Sequence, residues 1–217
     1  EIVPGDTKAN PIDALKASKA LYDQGIKIII GPVFNESTKY LDELNDVTFI
    51  SFTNKIYGNP PNVISAGVNA ISQFQTIDKF RNLNEIQRTI ILIPKSDYRK
   101  EIELAIKKTK LKLKDKFTEF EDFYNFINKE KKLEELNKKD TLGGINFDSV
   151  IIADFGESLK SVATSLLYTD VSSKRISYIT LNQWFDNSLL KENSFQPIYF
   201  PSINKENFEL FKIEYNN

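Results

Sequence analysis

The segment from residue 6 to residue 54 decides the fold: DTKANPIDALKASKALYDQGIKIIIGPVFNESTKYLDELNDVTFISFTN. Asn10-Pro11 predicts the start of a helix, because the residue before proline avoids helical dihedral angles and proline fits the first helical turn. Apolar residues then recur at helical spacing, and Gly25 predicts the end of the helix. The run IKIII at residues 26–30 is typical of a strand that is covered on both faces.

Polar residues follow both strands that this segment predicts. The first strand is ended by a Gly-Pro pair, and the second, at residues 47–52, runs directly into a polar turn. The polar residues beyond the two strand ends are Asn35, Glu36, Ser37 and Thr38 in the first loop and Thr53 and Asn54 in the second. Because open α/β sheets bind ligands at the carboxyl ends of their parallel strands, these loops predict one half of a binding site.

The rest of the chain continues the alternation of strands and helices. Further strands are predicted at residues 63–68, 89–93, 149–153, 175–181 and 195–201, with helices between them. Such an alternation is typical of an α/β fold with mainly parallel sheets flanked by helices. The strand signal near residues 111–117 is weak, so either that strand is short or residues are missing near 111–118.

The composition is that of an ordinary globular domain. The 217 residues are 41% hydrophobic and 27% charged, with a formal net charge of −1. This net charge gives no electrostatic reason to expect nucleic acid or an anionic membrane as a partner. The lysines are spread beside glutamates along the predicted helices, which favours solvated faces over a basic patch.

The chain contains neither histidine nor cysteine. It therefore lacks the most common general base, the thiolate nucleophile and the usual zinc ligands. No glycine-rich phosphate loop or dinucleotide fingerprint occurs, and nothing specifies a spacing for a carboxylate pair such as Asp154 with Glu36. We expect a non-enzymatic protein without cofactor or metal.

Methionine is absent, including at the first position. We therefore expect the chain to begin inside a longer protein, with a strand and a helix preceding Glu1. No apolar run approaches the roughly 20 residues that a membrane-spanning helix needs.

Two pieces of the sequence resemble type I periplasmic-binding proteins, the family of leucine/isoleucine/valine-binding proteins. These pieces are IIIGPVFNEST at residues 28–38 and ILIPKSDYRKEIELAIKK at residues 91–108. The resemblance implies a two-lobed α/β fold whose first lobe is incomplete. It implies a partial first lobe at residues 1–68 that lacks the first βα unit, a second lobe at 69–199, and a segment at 200–217 that returns toward the first lobe.

Within that superfamily, a closer likeness is to the penicillin-binding-protein activators, which are envelope lipoproteins. It is carried by IIIGPVFNEST again, by FISFTNK at residues 49–55 and by TLNQWFDNSLL at 180–190. Above all it is carried by the long segment KLEELNKKDTLGGINFDSVIIADFGESLKSVATSLLYTDV at 132–171. The resemblance implies a periplasmic protein, anchored through a lipidated N-terminus absent from this chain, that activates a peptidoglycan synthase. The alternative is a solute-binding receptor of an ABC transporter, with a branched-chain amino acid or similar small molecule between its lobes.

The resemblance also implies ligand-binding roles for the polar loops of the first lobe. In the amino-acid receptors the loop at Asn35, Glu36 and Ser37 binds the ligand carboxylate, although Glu36 would repel one. Alternatively, Asn35, Ser37 or Thr38 caps the following helix. Thr53 and Asn54 match the second polar loop of the family, or serve only the turn that follows.

In the second lobe the resemblance points to Tyr98, which packs over ligands in the receptors, and to an acid that binds the ligand ammonium. Asp154 is the candidate acid, and the other expected contacts are Phe155, Gln183 and Trp184. Asp154 and Glu157 can equally stabilise the first turn of the next helix. The single tryptophan can equally be part of the packing. Arg99 is expected to form a surface ion pair with Glu103.

Overall fold

The computed structural model describes residues 2–96, 98–137, 145–169, 171–182 and 187–216. The chain divides into two compact units, Glu1–Ser72 and Gln73–Asn217. Each unit is built on its own parallel β-sheet with helices packed against it. The predicted lobe limits at residues 68 and 199 stay predictions.

The first unit contains a three-stranded sheet in the order β1-β2-β3. All pairs in it are parallel, and Ile30, Ile50 and Ile64 lie side by side across the three strands. Its elements are helix α1 (Pro11–Tyr22), β1 (Ile28–Ile30), two short 3₁₀ helices (Asn35–Thr38 and Leu41–Glu43), β2 (Thr48–Ser51) and β3 (Val63–Ser65).

Helix α1 begins where the sequence predicts it and ends earlier than expected. The side chain of Asn10 accepts a hydrogen bond from the backbone N–H of Asp13 at 2.9 Å, which satisfies one of the unpaired donors of the first turn. The helix ends at Tyr22, so Gly25 is not its cap. Gly25 instead has a φ of +85° in the turn that leads into β1, a conformation that glycine adopts easily.

The prediction that the isoleucine strand is covered on both faces is wrong for the described part of the chain. Ile29 is half-buried, but Ile28 is 67% and Ile30 is 70% exposed. Side chains alternate between the faces of a strand, so one face of this sheet is covered and the other is open. Residues 2–6 form no strand.

One asparagine holds the connection between the second 3₁₀ helix and β2. The Asn62 side-chain amide donates to the backbone carbonyls of Leu41, Leu44 and Val47, with distances of 2.9, 2.8 and 3.1 Å. These carbonyls flank the small core of the first unit, whose buried members are Leu41, Leu44, Val47, Phe49 and Val63. Asn62 thus supplies the donor that this buried connection needs.

The second unit contains a five-stranded parallel sheet in the order β5-β4-β6-β7-β8. Its strands are β4 (Thr89–Leu92), β5 (Asp115–Phe117), β6 (Ser149–Ile152), β7 (Ser177–Thr180) and β8 (Ile198–Tyr199). Its helices are α2 (Ala70–Leu83), α3 (Arg99–Thr109), α4 (Phe120–Asn137), α5 (Gly156–Tyr168), α6 (Asn187–Leu190) and α7 (Lys205–Asn216). Helix α2 belongs to this unit from Gln73 on. A 3₁₀ turn lies at Asn193–Phe195.

The central strands of this second sheet are buried on both faces. Every residue of β4 and of β6 is buried. On one face, Ile90, Leu92, Val150 and Ile152 pack with Phe123 and Ile127 of α4 and with Leu159, Ala163 and Leu166 of α5. Strand β5 lies inside the weak signal at residues 111–117, so the short-strand alternative is confirmed.

An ion pair joins the amino ends of the two central strands. Arg88 Nη2 donates to Asp148 Oδ1 at 2.6 Å, and the backbone N–H of Arg88 donates to Asp148 Oδ2 at 2.9 Å. The hydrogen bond from the Arg88 side chain is the main cause that lowers the pKa of Asp148 below its usual range. Both side chains are partly exposed, so solvent screens the pair.

Candidate ligand-binding site

The order of the strands locates a crevice in the second unit. Strand β4 comes first along the chain, β5 pairs on one side of it and β6 pairs on the other. The connections therefore leave β4 and β6 in opposite directions, and the crevice outside the carboxyl ends of such strands is the usual ligand site of an open α/β sheet. We therefore expect a ligand site of the second unit at the carboxyl ends of β4 and β6.

A small cavity of about 150 Å³ opens at this position, and we call it the β4–β6 crevice. Its apolar residues include Leu92, Phe117, Ile152 and Val162, and its polar residues include Lys95, Thr118, Glu119, Asp154 and Ser158. A cavity of roughly 150 Å³ holds a group as large as benzene. The crevice therefore suits one apolar group bordered by charges of both signs.

Opposite charges meet at its border. Lys95 Nζ lies 2.6 Å from Glu119 Oε1, and both side chains are about half exposed. The two residues follow β4 and β5, which are neighbours in the sheet. The sequence analysis missed both residues, because their proximity depends on the strand order; the only local signal is the position of Lys95 just after the proline that ends β4.

Asp154 has a fixed orientation at the end of β6. Its Oδ1 accepts from the backbone N–H of Phe155 at 2.8 Å, and its Oδ2 accepts from Ser158 Oγ at 2.6 Å. These bonds hold the carboxylate over the first turn of α5, which agrees with the expected helix-start role. The Asp154 side chain also lines the β4–β6 crevice. Glu157, in the same turn, forms an ion pair with Lys160 at 2.8 Å.

Tyr98 and Phe155, both expected from the resemblance, lie together. Their ring centroids are 5.5 Å apart at an interplanar angle of 63°, an edge-to-face pair. Burial, with a smaller contribution from Glu101, raises the pKa of Tyr98 to about 12. The phenol therefore stays protonated at neutral pH and is a hydrogen-bond donor. Since Phe155 directly follows Asp154, the aromatic pair stands beside the β4–β6 crevice.

Arg99 forms the surface ion pair that the sequence favoured. Arg99 Nε lies 3.1 Å from Glu103 Oε1, at the i, i+4 spacing of helix α3. Its guanidinium is therefore engaged on the helix surface.

In the first unit, the loop after β1 turns its hydroxyl groups away from solvent. Ser37 is 0% exposed, and its Oγ makes no hydrogen bond within the part of the chain that the structure describes. Thr38 is also buried and donates from Oγ1 to the backbone carbonyl of Asn35 at 2.7 Å. Glu36 is the exposed side chain at the centre of this turn. The side-chain cap proposed for Asn35, Ser37 or Thr38 does not form, because Phe34 holds the cap position without a side-chain bond.

The second polar loop of the first unit makes bonds typical of a turn. Thr53 is buried, and its Oγ1 accepts from the backbone N–H of Lys55 at 3.2 Å. The same hydroxyl lies 3.5 Å from Asn35 Oδ1, so the two predicted loops meet at this long contact. Asn54 is exposed. Gly67 packs against this loop so closely that a Cβ there would lie 2.3 Å from the carbonyl oxygen of Phe52.

A second cavity, of about 260 Å³, lies beside the first of these loops. It is lined mainly by polar residues, namely Asn35, Glu36, Thr38, Lys39, Asp42 and Asn59, together with Gly58 and Pro60. The sequence analysis named Asn35, Glu36 and Thr38 but missed Lys39, which lies between the two 3₁₀ helices, Asp42 of the second 3₁₀ helix and Asn59 of the loop after β2.

The structure thus brings together Tyr98, Phe155 and Asp154 in the second unit, and Asn35 and Thr53 in the first. The predicted contacts Gln183 and Trp184 lie outside the described residues. No group of three or more acidic side chains is placed to hold a metal ion within the described ranges. None of the helices searched there is long and apolar enough to cross a membrane.

Solved structures with the same fold include both transport receptors and a regulator. An ABC transporter substrate-binding protein from Desulfitobacterium hafniense, in complex with Leu, aligns over 100% of this chain with a TM-score of 0.55 and 14% identity. The C-domain of LpoA (YraM) from Haemophilus influenzae, a regulator of PBP1A, aligns over 96% with a TM-score of 0.63 and 10% identity. The chain has the type I periplasmic-binding-protein fold.

A further match is a branched-chain amino acid ABC transporter periplasmic ligand-binding protein from Burkholderia xenovorans LB400, with a TM-score of 0.61, 11% identity and 98% of this chain covered. The chain spans 66%, 67% and 59% of the lengths of these three proteins, in the order given. No family model matches the sequence, and no curated protein matches it either. At these identities the likeness establishes the fold, whereas function has to be argued from the site.

Proposed function

We propose that the chain is a non-enzymatic periplasmic domain that regulates peptidoglycan synthesis by binding and activating a penicillin-binding protein. The structural likeness to the LpoA C-domain, described as a regulator of PBP1A, is consistent with this role. The observation that supports the proposal is the burial of the hydroxyl groups in the loop after β1, which leaves the acidic Glu36 exposed.

This loop lacks the features that would let it bind the carboxylate of a free amino acid. Ser37 is fully buried, the Thr38 hydroxyl is bonded to a backbone carbonyl, and the acidic Glu36 is exposed beside the same cavity as the basic Lys39. A ligand carboxylate beside Glu36 would meet a like charge, which costs free energy unless a cation intervenes. The first unit therefore favours a surface that binds a protein over a pocket that binds an amino acid.

The second candidate is a solute receptor that binds an amino acid or a similar small molecule. The β4–β6 crevice favours it, because Asp154 is held at the carboxyl end of β6 and the Tyr98–Phe155 pair stands beside it. In this role Asp154 would accept from a ligand ammonium, and the crevice would take the apolar side chain. The leucine complex of the Desulfitobacterium hafniense protein shows that the fold accepts such a ligand.

One experiment with the full chain separates the two roles. Thermal unfolding is measured with leucine, other free amino acids and soluble cell-wall peptides, and the immobilised protein is incubated with solubilised bacterial envelope. Bound penicillin-binding proteins are identified with a fluorescent penicillin. The regulator role predicts a labelled penicillin-binding protein on the column and no shift with free amino acids.

The receptor role predicts the opposite result. A ligand at a hundred times its dissociation constant adds roughly 2.7 kcal/mol to the free energy of unfolding, which is easily seen as a higher midpoint. A shift with leucine that is lost in Asp154→Asn but kept in Glu157→Gln would replace the proposed function by the receptor. The second variant is the matched control, since both residues belong to the start of α5 and lose one charge.

A further inference from the structure

A dense run of lysines lies at the amino ends of the strands of the second sheet, whereas the β4–β6 crevice lies at their carboxyl ends. Residues 107–116 read KKTKLKLKDK, six lysines and one aspartate in ten positions. The run covers the end of α3, the connection to β5 and β5 itself. The net charge of −1 for the whole chain conceals this local concentration.

Hydrogen bonds hold the run against the amino ends of the strands. Lys114 donates from its backbone N–H to Thr89 O and from Nζ to Asn146 O, each at 2.7 Å. Arg81 Nη2, from the last turn of α2, donates to Lys112 O at 2.9 Å. The ends of α2 and α3 and the starts of β4, β5 and β6 therefore meet at one edge of the second unit.

Four of these lysines form what we call the lysine edge: Lys107, Lys108, Lys110 and Lys112. All four side chains are exposed, and no ion pair involves them in the part of the chain that the structure describes. Lys116, by contrast, lies 3.8 Å from Glu103. The helix dipole favours cations in the last turn of α3, which accounts for Lys107 and Lys108. It does not account for Lys110 and Lys112, which lie beyond the helix.

An exposed leucine ends the same helix, α2, whose Arg81 is bonded to the lysine edge. Leu83 ends α2 two residues after Arg81, whose guanidinium is bonded to the Lys112 carbonyl, and its side chain is 84% exposed. The acidic residue that follows closely along the chain is Glu85. With Asp115 of the run itself, the nearby acids along the chain carry two negative charges, which do not cancel the four lysines. This end of the second unit therefore combines excess positive charge with an exposed apolar side chain.

We propose that the lysine edge binds the surface of an anionic phospholipid bilayer, with Leu83 entering the boundary between headgroups and acyl chains. Positive charge on the protein is complementary to lipid phosphate, and apolar side chains beside lysines strengthen interfacial binding. A soluble polyanion would explain the lysines but not the exposed leucine. Docking by this edge would direct the β4–β6 crevice of the second unit away from the bilayer.

The test is cosedimentation of the full chain with vesicles of phosphatidylcholine alone and of phosphatidylcholine mixed with phosphatidylglycerol. We expect binding to the mixed vesicles only, and weaker binding as salt is raised. Removing one lysine should lower the partition coefficient about fivefold, and removing all four by roughly two to three orders of magnitude. Leu83→Ser should lower it by roughly tenfold, an effect that salt does not abolish.

The matched control keeps the change in net charge and moves it elsewhere. Lys16, Lys100, Lys191 and Lys205 are also exposed, and Lys100 lies at the other end of α3. Replacing these four with glutamine should leave vesicle binding nearly unchanged, whereas Lys107→Gln, Lys108→Gln, Lys110→Gln and Lys112→Gln together should abolish it.

Three outcomes would overturn the proposal. They are absence of wild-type binding to the mixed vesicles, equal losses in the two quadruple variants, and wild-type binding to polyphosphate without binding to vesicles. The last would assign the edge to a soluble polyanion. The salt dependence of the wild-type protein tests the proposal even if a variant unfolds.

Discussion

The two sheets of this chain are made of similar strands and end up in different surroundings. In the second unit every residue of β4 and β6 is buried, whereas in the first unit β1 has two exposed isoleucines beside one half-buried isoleucine. The sequences TIIL, SVII and III do not reveal this difference. A run of β-branched residues predicts a strand, but the number of faces covered depends on the helices that the rest of the chain supplies.

The two units also differ in the size of their hydrophobic cores. Among the described residues, one cluster of the second unit contains sixteen buried side chains from strands, helices and connections, and the cluster of the first unit contains five. Burial of apolar surface is the main favourable contribution to folding. We therefore expect the second unit to be the more stable of the two.

The largest effect is expected from Ile151→Ala in β6. Ile151 is fully buried at the centre of the second sheet, so its truncation removes buried methyl groups and leaves a cavity. We expect a loss of about 2–5 kcal/mol in the free energy of unfolding. Urea denaturation gives the loss, and hydrogen exchange should locate it in residues 73–216. Ile151→Val is the milder control, and a loss below that of the valine variant would contradict the contrast between the sheets.

A smaller effect is expected from Asn62→Ala in the first unit. The change removes the donor that the carbonyls of Leu41, Leu44 and Val47 share, and the first two keep only their backbone N–H partners, so it should cost about 1–3 kcal/mol. Hydrogen exchange should rise in peptides of residues 2–72. Asn62→Asp should be at least as harmful, because it places a carboxylate against the same carbonyls, while Asn45→Ala, an exposed site nearby, should have little effect. If residues 2–72 were equally protected from hydrogen exchange in Asn62→Ala, Asn62→Asp and Asn45→Ala, the role of Asn62 would be disproved.

Asp148→Asn should cost about 1 kcal/mol at neutral pH, since the ion pair and the backbone bonds at the amino ends of β4 and β6 are partly exposed. The folded-state pKa of Asp148 is lowered. Its contribution is therefore fully present above the unfolded pKa of about 4 and is lost as the pH falls through the folded value. Wild type and variant, compared by urea denaturation from pH 7 downward, should differ at pH 7 and converge in acid. If the difference in unfolding free energy between wild type and variant grew as the pH fell, the predicted role of Asp148 would be contradicted.

The smallest effect is expected from Ile30→Thr in β1. The side chain is 70% exposed, and threonine keeps the branched shape that strands favour, so the change should stay within about 0.5 kcal/mol. Thermal unfolding measures it against Ile29→Thr on the covered face, which should cost more. A large loss from Ile30→Thr alone would show that this face is covered by a partner.

Local signals predicted much of the fold because the physics behind them is local. The Asn10-Pro11 start of α1 depends on neighbouring backbone groups, and Asn69 likewise caps α2 by accepting from the backbone N–H groups of Ile71 and Ser72. The exposure of Ile28 and Ile30 could not be read in this way, since it depends on which elements cover a sheet face.

The same distinction applies to the candidate site. Tyr98, Phe155 and Asp154 were named from the resemblance to the amino-acid receptors, and the structure brings them together. The orientation of Ser37 could not be predicted, because the loop forms a 3₁₀ helix whose side chains point differently from those of an α-helix. Lys95 and Glu119 were missed because only the strand order makes them neighbours.

The outer side of β1 has a consequence for the behaviour of concentrated solutions. Within the described residues β1 pairs only with β2, so a row of backbone donors and acceptors faces outward beside Ile28 and Ile30. Exposed apolar edge strands are templates for intermolecular strand pairing, and proteins limit it with charged gatekeeper residues. Lys27, which precedes β1 and pairs with Asp46 at 2.7 Å, is such a gatekeeper. Removal of the Lys27 charge should therefore favour self-association through β1.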